Sequence, residues 1–424
     1  MSLNNICIVG LGYIGLPTAA LLADKKEKVI GVDVNKVVVD TINAGKIHIV
    51  ESGLEDIVMS AVDNGYLRAV VSPEPADVYP IAVPTPFSKH ELEGGIPRPN
   101  LQYVESAANA ISKVLKKGDL VILESTSPVG TTEKLAHWLS ANRPDLTFPQ
   151  THGDGADINV AYCPERVIPG QVIRELVEND RIIGGMTQAC SNAAMKIYKI
   201  FVEGECLVTN ARTAEMAKLT ENASRDVGIA FANELSILCE TLDVNVWELI
   251  NLANRHPRVN ILDPGPGVGG HCIAVDPWFI VSESPKEARL IHTARLVNDA
   301  KPDWVIAKII AAIEKLANKK PIQKIALACL GLAFKPNIDD LRGSPSLYIT
   351  QQLIDSTECA ICVVEPNIAN RPLNLSSKAV FCDLDDAIRV ADIIVVLTNH
   401  DEFIHIASKI KKSQILLDFV GVNK

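Results

Sequence analysis

The stretch Ile6-Cys7-Ile8-Val9-Gly10-Leu11-Gly12-Tyr13-Ile14-Gly15-Leu16-Pro17 decides how this chain is read. An apolar strand over Asn5–Val9 runs into glycines spaced Gly-x-Gly-x-x-Gly, and the residues onward to Ala23 have helical character. In a strand–turn–helix unit each glycine has its own task. Gly10 permits the tight turn, Gly12 lets the backbone approach a pyrophosphate, and Gly15 lets helix and strand pack closely. The helix N-terminus at Tyr13 and Ile14 presents N–H groups and a positive dipole end to the phosphates. The next strand, Lys28–Asp33, ends in a carboxylate about 20 residues on, where ribose hydroxyls are held. Val34-Asn35-Lys36 follows, with no Arg for a 2′-phosphate, so the expected cofactor is NAD and not NADP.

Working outward, further strands are predicted at Val78–Val83, Leu120–Glu124, Val160–Cys163 and Arg181–Ile183, with helical segments such as Tyr103–Leu115 between them. Such alternation predicts parallel pairing in a doubly wound sheet. From Thr213 to about Leu242 the pattern is that of one long helix, and Asn245–Leu252 reads as another. Alternation returns with strands at Ile325–Leu330, Ile361–Val364, Ala379–Phe381, Ile393–Leu397 and Ile415–Asp418, and a helix around Ser346–Ile354. The predicted fold is α/β: two Rossmann-like doubly wound domains (1–208 and 319–424) joined by a long central helical segment (209–318). The second sheet lacks Gly-x-Gly-x-x-Gly and need not hold a dinucleotide. The polar segment Phe87–Pro99 reads as a mobile loop insertion.

The chain has 424 residues, 47% hydrophobic and 22% charged, which excludes a disordered polymer. A net charge of −10 argues against a nucleic-acid partner. No apolar run reaches the roughly 18 residues that span a bilayer, and the N-terminus lacks signal-peptide character, so no membrane partner is expected. Ten cysteines in so long a chain, several in apolar runs, read as reduced thiols of a cytoplasmic protein. Cys359-Ala-Ile-Cys362 imitates a metal pair. It leads into a strand, however, whose period of two sends those side chains to opposite faces, and no metal site is expected.

The most unusual segment is Asp263-Pro-Gly-Pro-Gly-Val-Gly-Gly-His271-Cys272-Ile-Ala-Val-Asp276-Pro277. Its glycines make a defined loop rich in backbone N–H groups, and a Cys at its end lies near those donors. Asp276 falls one turn on if a helix starts there. A thiolate beside a nicotinamide suggests attack on an aldehyde, hydride loss from the thiohemiacetal, and hydrolysis of a thioester. Pro84-Thr85-Pro86 and Glu124-Ser125-Thr126-Ser127-Pro128 end strands where ligands of such sheets bind. Their hydroxyls either reach the cofactor or cap helices. From the residues alone, Cys272 also fits a small buried hydrophobe, and Lys218 and Arg225 a solvated helix face.

The motifs GLGYIGLP, VPTP, ESTSPVGTT, CPER, AEMAKLTENASRD, GVGGHCIAVDP and GLAFKPNIDDLR, in this order, resemble the UDP-glucose/GDP-mannose dehydrogenase family over nearly the whole chain. Tyr162–Val167 and Asn254–Arg258 resemble one branch; the UDP-glucose enzymes typically carry Phe-Leu after the Pro-Glu. The resemblance implies NAD-dependent four-electron oxidation of a UDP-sugar C6 alcohol to a carboxylate. It implies Cys272 as nucleophile, Lys218 and Asn222 on a catalytic helix, Asp276 ordering water, and Glu165 near that water. Arg166, Val167, Arg225, His256, Arg258 and Gly269, with Lys218 and Asn222, line the implied sugar–nucleotide pocket. Phe334 and Lys335 face the substrate, and Arg342 lies near the cofactor. A homodimer is implied, with Arg258 reaching across. Many relatives carry an Arg shortly after the Asp of the last strand; here Asp418-Phe419-Val420-Gly421 has none. Three rivals remain: the same chemistry on UDP-N-acetylglucosamine or UDP-glucose, a single-step hydroxy-acid dehydrogenase that needs no thiol, and a non-catalytic NAD or nucleotide-sugar binder.

Overall fold

A computed structural model describes residues 5–91, 95–168, 170–270, 272–373 and 375–422. The chain forms two compact units, Met1–Glu221 and Asn222–Lys424, dividing inside the 31-residue helix Ala211–Thr241.

In the first unit the strands are β1 (Ile6–Val9), β2 (Val29–Val32), β3 (Leu67–Val70), β4 (Val78–Ile81), β5 (Phe87–Glu91), β6 (Pro97–Pro99), β7 (Leu120–Leu123), β8 (Asn159–Tyr162), β9 (Arg181–Gly185) and β10 (Cys206–Asn210). Eight of them form one sheet in the order β10-β9-β8-β7-β4-β1-β2-β3. Alternate residues of β1 feed two cores. Ile6 and Ile8 pack with Leu16, Leu22 and Val58 on one face, and Cys7 and Val9 with Val104, Ala108 and Leu135 on the other. Burial on both faces explains why these strands read as continuous apolar runs.

Two expectations are corrected, and two strands are added. β8 and β9 pair antiparallel, because the connection through the seven-residue helix Val172–Glu178 returns the chain at the end of the sheet it left. The segment Phe87–Pro99 contains the antiparallel pair β5–β6, Phe87 opposite Pro99, and is not a simple loop; its residues 92–94 lie outside the described residues. β3 and β10 had no clear sequence signal, since both are short and β10 is buried on neither face (LRAV, CLVTN).

The second unit holds β11 (Ala326–Leu330), β12 (Ala360–Val364), β13 (Val380–Phe381), β14 (Ile393–Val396) and β15 (Ile415–Asp418), all parallel in the order β13-β12-β11-β14-β15. Cys359 packs against the core on one face of this sheet and Cys362 in the core on the other, as the strand period requires. Burial pushes the Cys362 thiol up to about 12, which keeps it protonated and inert.

The 29-residue helix Arg289–Ala317 tolerates Pro302 and lies inside the span 209–318 read as helical, although the sequence reading did not place it individually. Arg295 and Asn298 are almost fully buried on it and bond to Asp226 of the long helix, at 2.5 Å and 2.8 Å. Asn298 also accepts from Asn233 Nδ2 at 2.9 Å. These bonds fix the register of two long helices through buried polar groups.

Candidate active site

The glycine turn is built as its spacing predicts. Gly10 has φ of 95°, and a Cβ there would meet the carbonyl oxygen of Ala82 at 2.5 Å. A Cβ on Gly15 would lie 1.8 Å from the Gly10 carbonyl oxygen, so helix and turn touch through backbone. A Cβ on Gly12 would meet nothing within 4 Å. The helix Gly15–Asp24 begins after Ile14 with no side chain capping it, and Tyr13 stands exposed beside it. Asp33 follows β2 half-buried and accepts from Leu11 N at 3.2 Å and Asn35 N at 2.9 Å. Open space over Gly12, an uncapped N-terminus and a carboxylate against the turn fit the pyrophosphate and ribose of NAD.

These contacts separate two substitutions. Gly15→Ala is expected to cost about 1–3 kcal/mol of stability through the clash with Gly10. Gly12→Ala is expected to leave the thermal midpoint unchanged while weakening NADH binding about tenfold or more, because its methyl group projects into the phosphate space. Thermal melts and NADH fluorescence titrations of both variants check this.

The loops at the strand ends brace one another. Thr85 Oγ1 donates to the Thr126 carbonyl at 2.6 Å, and Ser125 Oγ to that of Val83 at 2.7 Å. Thr131 Oγ1 bonds the Pro128 carbonyl at 2.7 Å and caps no helix. That helix, Thr131–Asn142, is held instead by Glu215, which is fully buried on the long helix. Glu215 accepts from Gly130 N at 2.6 Å, Thr132 N at 2.7 Å and Thr132 Oγ1 at 2.6 Å. Burial raises its carboxyl above the ordinary glutamate range, against those donors. Glu215 precedes Lys218 by three residues, so the same turn of helix that carries the lysine is clamped to the loop after β7. The motif AEMAKLTENASRD contains this glutamate, but among the other charges of the helix nothing in the sequence revealed its partners.

Glu165 is buried and its carboxylate pairs with Arg181, which also bonds Glu124 at 3.0 Å. Tyr198 OH donates to the same Glu124 oxygen at 2.6 Å, and its ring lies 4.0 Å under the Arg181 guanidinium. Glu165 thus stands in a buried ionic network that sequence reading did not reveal, since its members lie on four separate elements.

The cysteine loop belongs to the second unit. Gly267 and Gly270 take φ of 143° and 83°. A Cβ at Gly269 would meet the Gly343 carbonyl oxygen at 2.7 Å and Phe334 Cβ at 2.7 Å. Gly270 N donates to the Arg342 carbonyl at 3.1 Å. The loop therefore lies directly on the turn after β11. Cys272 emerges from it exposed. Its carbonyl accepts from Val275 N at 3.1 Å and Asp276 N at 2.8 Å, a helical turn that leads into the helix Asp276–Glu283. Asp276 is buried, 3% exposed, and accepts from Asn222 Nδ2 at 2.5 Å. An exposed thiol one turn before a buried, oriented carboxylate can do nucleophilic and proton-transfer chemistry side by side. His271 lies outside the described residues.

Residues 4–202, 212–300 and 328–424 match in turn the NAD binding, central and UDP binding domains of the UDP-glucose/GDP-mannose dehydrogenase family. The chain belongs to this family. It is 61% identical over 408 residues to a UDP-N-acetyl-D-mannosamine dehydrogenase of Campylobacter jejuni, covering 96% of this chain and 97% of that one. Its counterpart in Escherichia coli is 58% identical over 424 residues, 100% of both chains. An NDP-N-acetyl-D-galactosaminuronic acid dehydrogenase of Ralstonia nicotianae is 57% identical over 419 residues, 99% of this chain and 96% of that one. Among solved structures, the UDP-D-ManNAc dehydrogenase of Pyrococcus horikoshii superposes with a TM-score of 0.85 at 37% identity, covering 99% and 96% of the two chains.

In the region matching the UDP binding domain, Phe334 is half-buried against the cysteine loop and Lys335 is exposed beside it. Arg342 pairs with Asp340 at 2.6 Å. In the central region Lys218 is buried, 9% exposed, and no charged partner for it occurs among the described residues. Asn222 follows one turn along the same helix, and Arg225 is exposed. His256 and Arg258 are exposed on a loop closed by Asn254, which bonds Ile261 N at 2.7 Å and the Ile261 carbonyl at 2.9 Å. In the region matching the NAD binding domain, Arg166 pairs with Glu221 at 2.9 Å, and Val167 packs partly against the core. No helix among the described residues is long and apolar enough to cross a membrane.

Proposed function

We propose that this chain oxidises C6 of UDP-N-acetyl-D-mannosamine to give UDP-N-acetyl-D-mannosaminuronate. Overall, the alcohol, one water and two NAD⁺ become the carboxylate, two NADH and three protons. The observation that carries the reading is Cys272 exposed one turn before Asp276, with Asp276 fixed by Asn222. Identity of 57–61% to curated relatives supports the substrate, as do the Tyr162–Val167 and Asn254–Arg258 segments.

NAD, held by Gly10, Gly12, Gly15 and Asp33, supplies a hydride acceptor for each oxidation. The protein's own residues do the rest. Asp276, aligned by Asn222, orders the water that receives the proton of the C6 hydroxyl group. Lys218 donates to the oxygen where negative charge develops. The Cys272 thiolate adds to the aldehyde, so the reactive carbonyl stays bound and presents a tetrahedral hydride donor. After the second hydride leaves, water cleaves the thioester, and the thiolate departs to complete the cycle. Glu165, within its pair with Arg181, orients the surrounding loop. Arg166, Val167, Arg225, His256, Arg258, Gly269, Phe334 and Lys335 hold the nucleotide sugar. Thr85, Thr126 and Arg342 complete the cofactor side. The three-part division at 208/209 and 318/319 assigns cofactor, dimerisation and UDP-sugar roles in turn.

The proposed assembly is a homodimer in the cytoplasm, with Arg258 contributed to the partner's site, serving bacterial surface polysaccharide synthesis of the enterobacterial common antigen type. Phe231 and Leu238 are 52% and 48% exposed on the long helix and Leu242 is 69% exposed just past its end, a row spaced to form one apolar stripe. Phe231→Glu with Leu238→Glu is expected to yield a folded monomer with turnover reduced about a hundredfold or more, as for loss of a substrate-clamping Arg. Light scattering and steady-state assays check this.

Substrate choice is tested by kcat/KM on the UDP derivatives of N-acetylmannosamine, N-acetylgalactosamine, N-acetylglucosamine and glucose. The N-acetylmannosamine derivative is expected to lead by about tenfold or more, on the scale of a site that hydrogen-bonds its preferred epimer. A higher value on any other sugar overturns the assignment.

A further inference from the structure

Two carboxylates occupy the same topological place in the two sheets. Gly10 after β1 and Gly331 after β11 have φ of 95° and 92°. A Cβ on either would strike the segment after the neighbouring strand: Ala82 after β4, and Thr398 after β14, both at 2.5 Å. Asp33 follows β2, and Glu365 follows β12. The neighbours agree as well, in β3-β2-β1-β4-β7 and β13-β12-β11-β14-β15.

The carboxylates then diverge. Asp33 is half-buried beside open space over Gly12. Glu365 is 3% exposed, and its Oε2 accepts from Leu332 N at 2.7 Å and Ala333 N at 3.0 Å. Its Oε1 accepts from Asn367 N at 3.1 Å. The fully buried His400 places Nε2 at 3.1 Å from the same carboxylate. His400 Nδ1 accepts from Asn337 N at 3.0 Å, which assigns the ring proton to Nε2, facing Glu365. Glu365 and His400 together thus hold both ends of the turn 332–337. Burial alone would raise the Glu365 carboxyl, but His400 and the two amides bring it down to about 2, so it stays ionised at working pH.

We propose that Glu365 and His400 are positioning residues for nucleotide-sugar binding: the place of a ribose-binding carboxylate has been turned inward into a brace for the turn that carries Phe334 and Lys335. The inference rests on the reading that these two residues face the substrate. It has two consequences. The Leu332 and Ala333 N–H groups are already bonded and are not offered to a phosphate, so phosphate recognition on this turn falls to Lys335. Because Phe334 lies against Gly269 and Gly270, the brace also sets the loop that ends in Cys272.

The test is UDP binding by calorimetry on the full-length protein, with NADH binding and UDP-sugar kinetics measured alongside. His400→Ala is expected to raise the Kd for UDP and the KM for UDP-sugar at least tenfold, with the Kd for NADH unchanged. His400→Gln, which keeps a donor toward Glu365, is expected to recover part of the loss. Where the Ala variant folds poorly, the Gln variant reads a smaller shift in the same direction. Unchanged UDP binding in a folded His400 variant overturns the brace. Lys335→Ala separates the underlying reading: if it leaves UDP binding intact, the substrate-facing role of the turn is itself wrong. If it weakens UDP binding and the His400 variants do not, the brace alone fails.

Discussion

Cys272→Ala is expected to lower formation of the sugar acid by about a thousandfold or more, roughly 4 kcal/mol of transition-state stabilisation. Its thermal midpoint is expected to stay within a degree or so of the parent, because an exposed surface side chain contributes little to stability. The loop that carries Cys272 is fixed by others, by the glycines that admit no Cβ and by Gly270 N bonded to Arg342. Removing the sulfur therefore removes chemistry and leaves architecture. An aldehyde formed in the variant has no thiol to hold it, so NADH per sugar consumed cannot exceed one. NADH absorbance together with product analysis checks this. Full activity in the variant would favour the single-step hydroxy-acid dehydrogenase, which needs no nucleophile, and absence of turnover in the parent protein would favour the non-catalytic binder.

Lys218→Met is expected to lower kcat about a hundredfold to a thousandfold, on the scale of losing one oxyanion donor, with a smaller change in KM. The same change is expected to leave the thermal midpoint within a few degrees of the parent, because Lys218 makes no ion pair among the described residues and a methionine fills the volume of its apolar stem. Lost activity at nearly unchanged stability distinguishes a catalytic lysine from a structural one, whose loss would lower both. Calorimetric melts and initial rates on one preparation give both readings.

Much of this was legible in the sequence because local rules and global fold agree. The Gly10–Gly15 turn, the Asp33 carboxylate and the buried strands each carry their own pattern. The Cys272 loop stood out by its density of Gly and Pro, and the helical turn to Asp276 followed from spacing. What was hidden depends on partners far apart in the chain. Glu215 looks like any helical charge until its carboxylate is seen on Gly130 and Thr132, 85 and 83 residues away. Arg295 and Asn298 look solvated until Asp226 is placed beside them. The direction of β9 depends on where one connection leads the chain, which side-chain periodicity does not encode. Arg166 and Val167 were legible as motif positions, while the pairing of Arg166 with Glu221 and the partial packing of Val167 on the core were not.

The measurement closest to the heart of the account is the ratio of NADH formed to UDP-N-acetylmannosamine consumed by the unmodified protein, run to completion. Passage through a covalent adduct on Cys272 predicts two NADH for each sugar, with only the acid as product. One NADH for each sugar, with free aldehyde in solution, would contradict it.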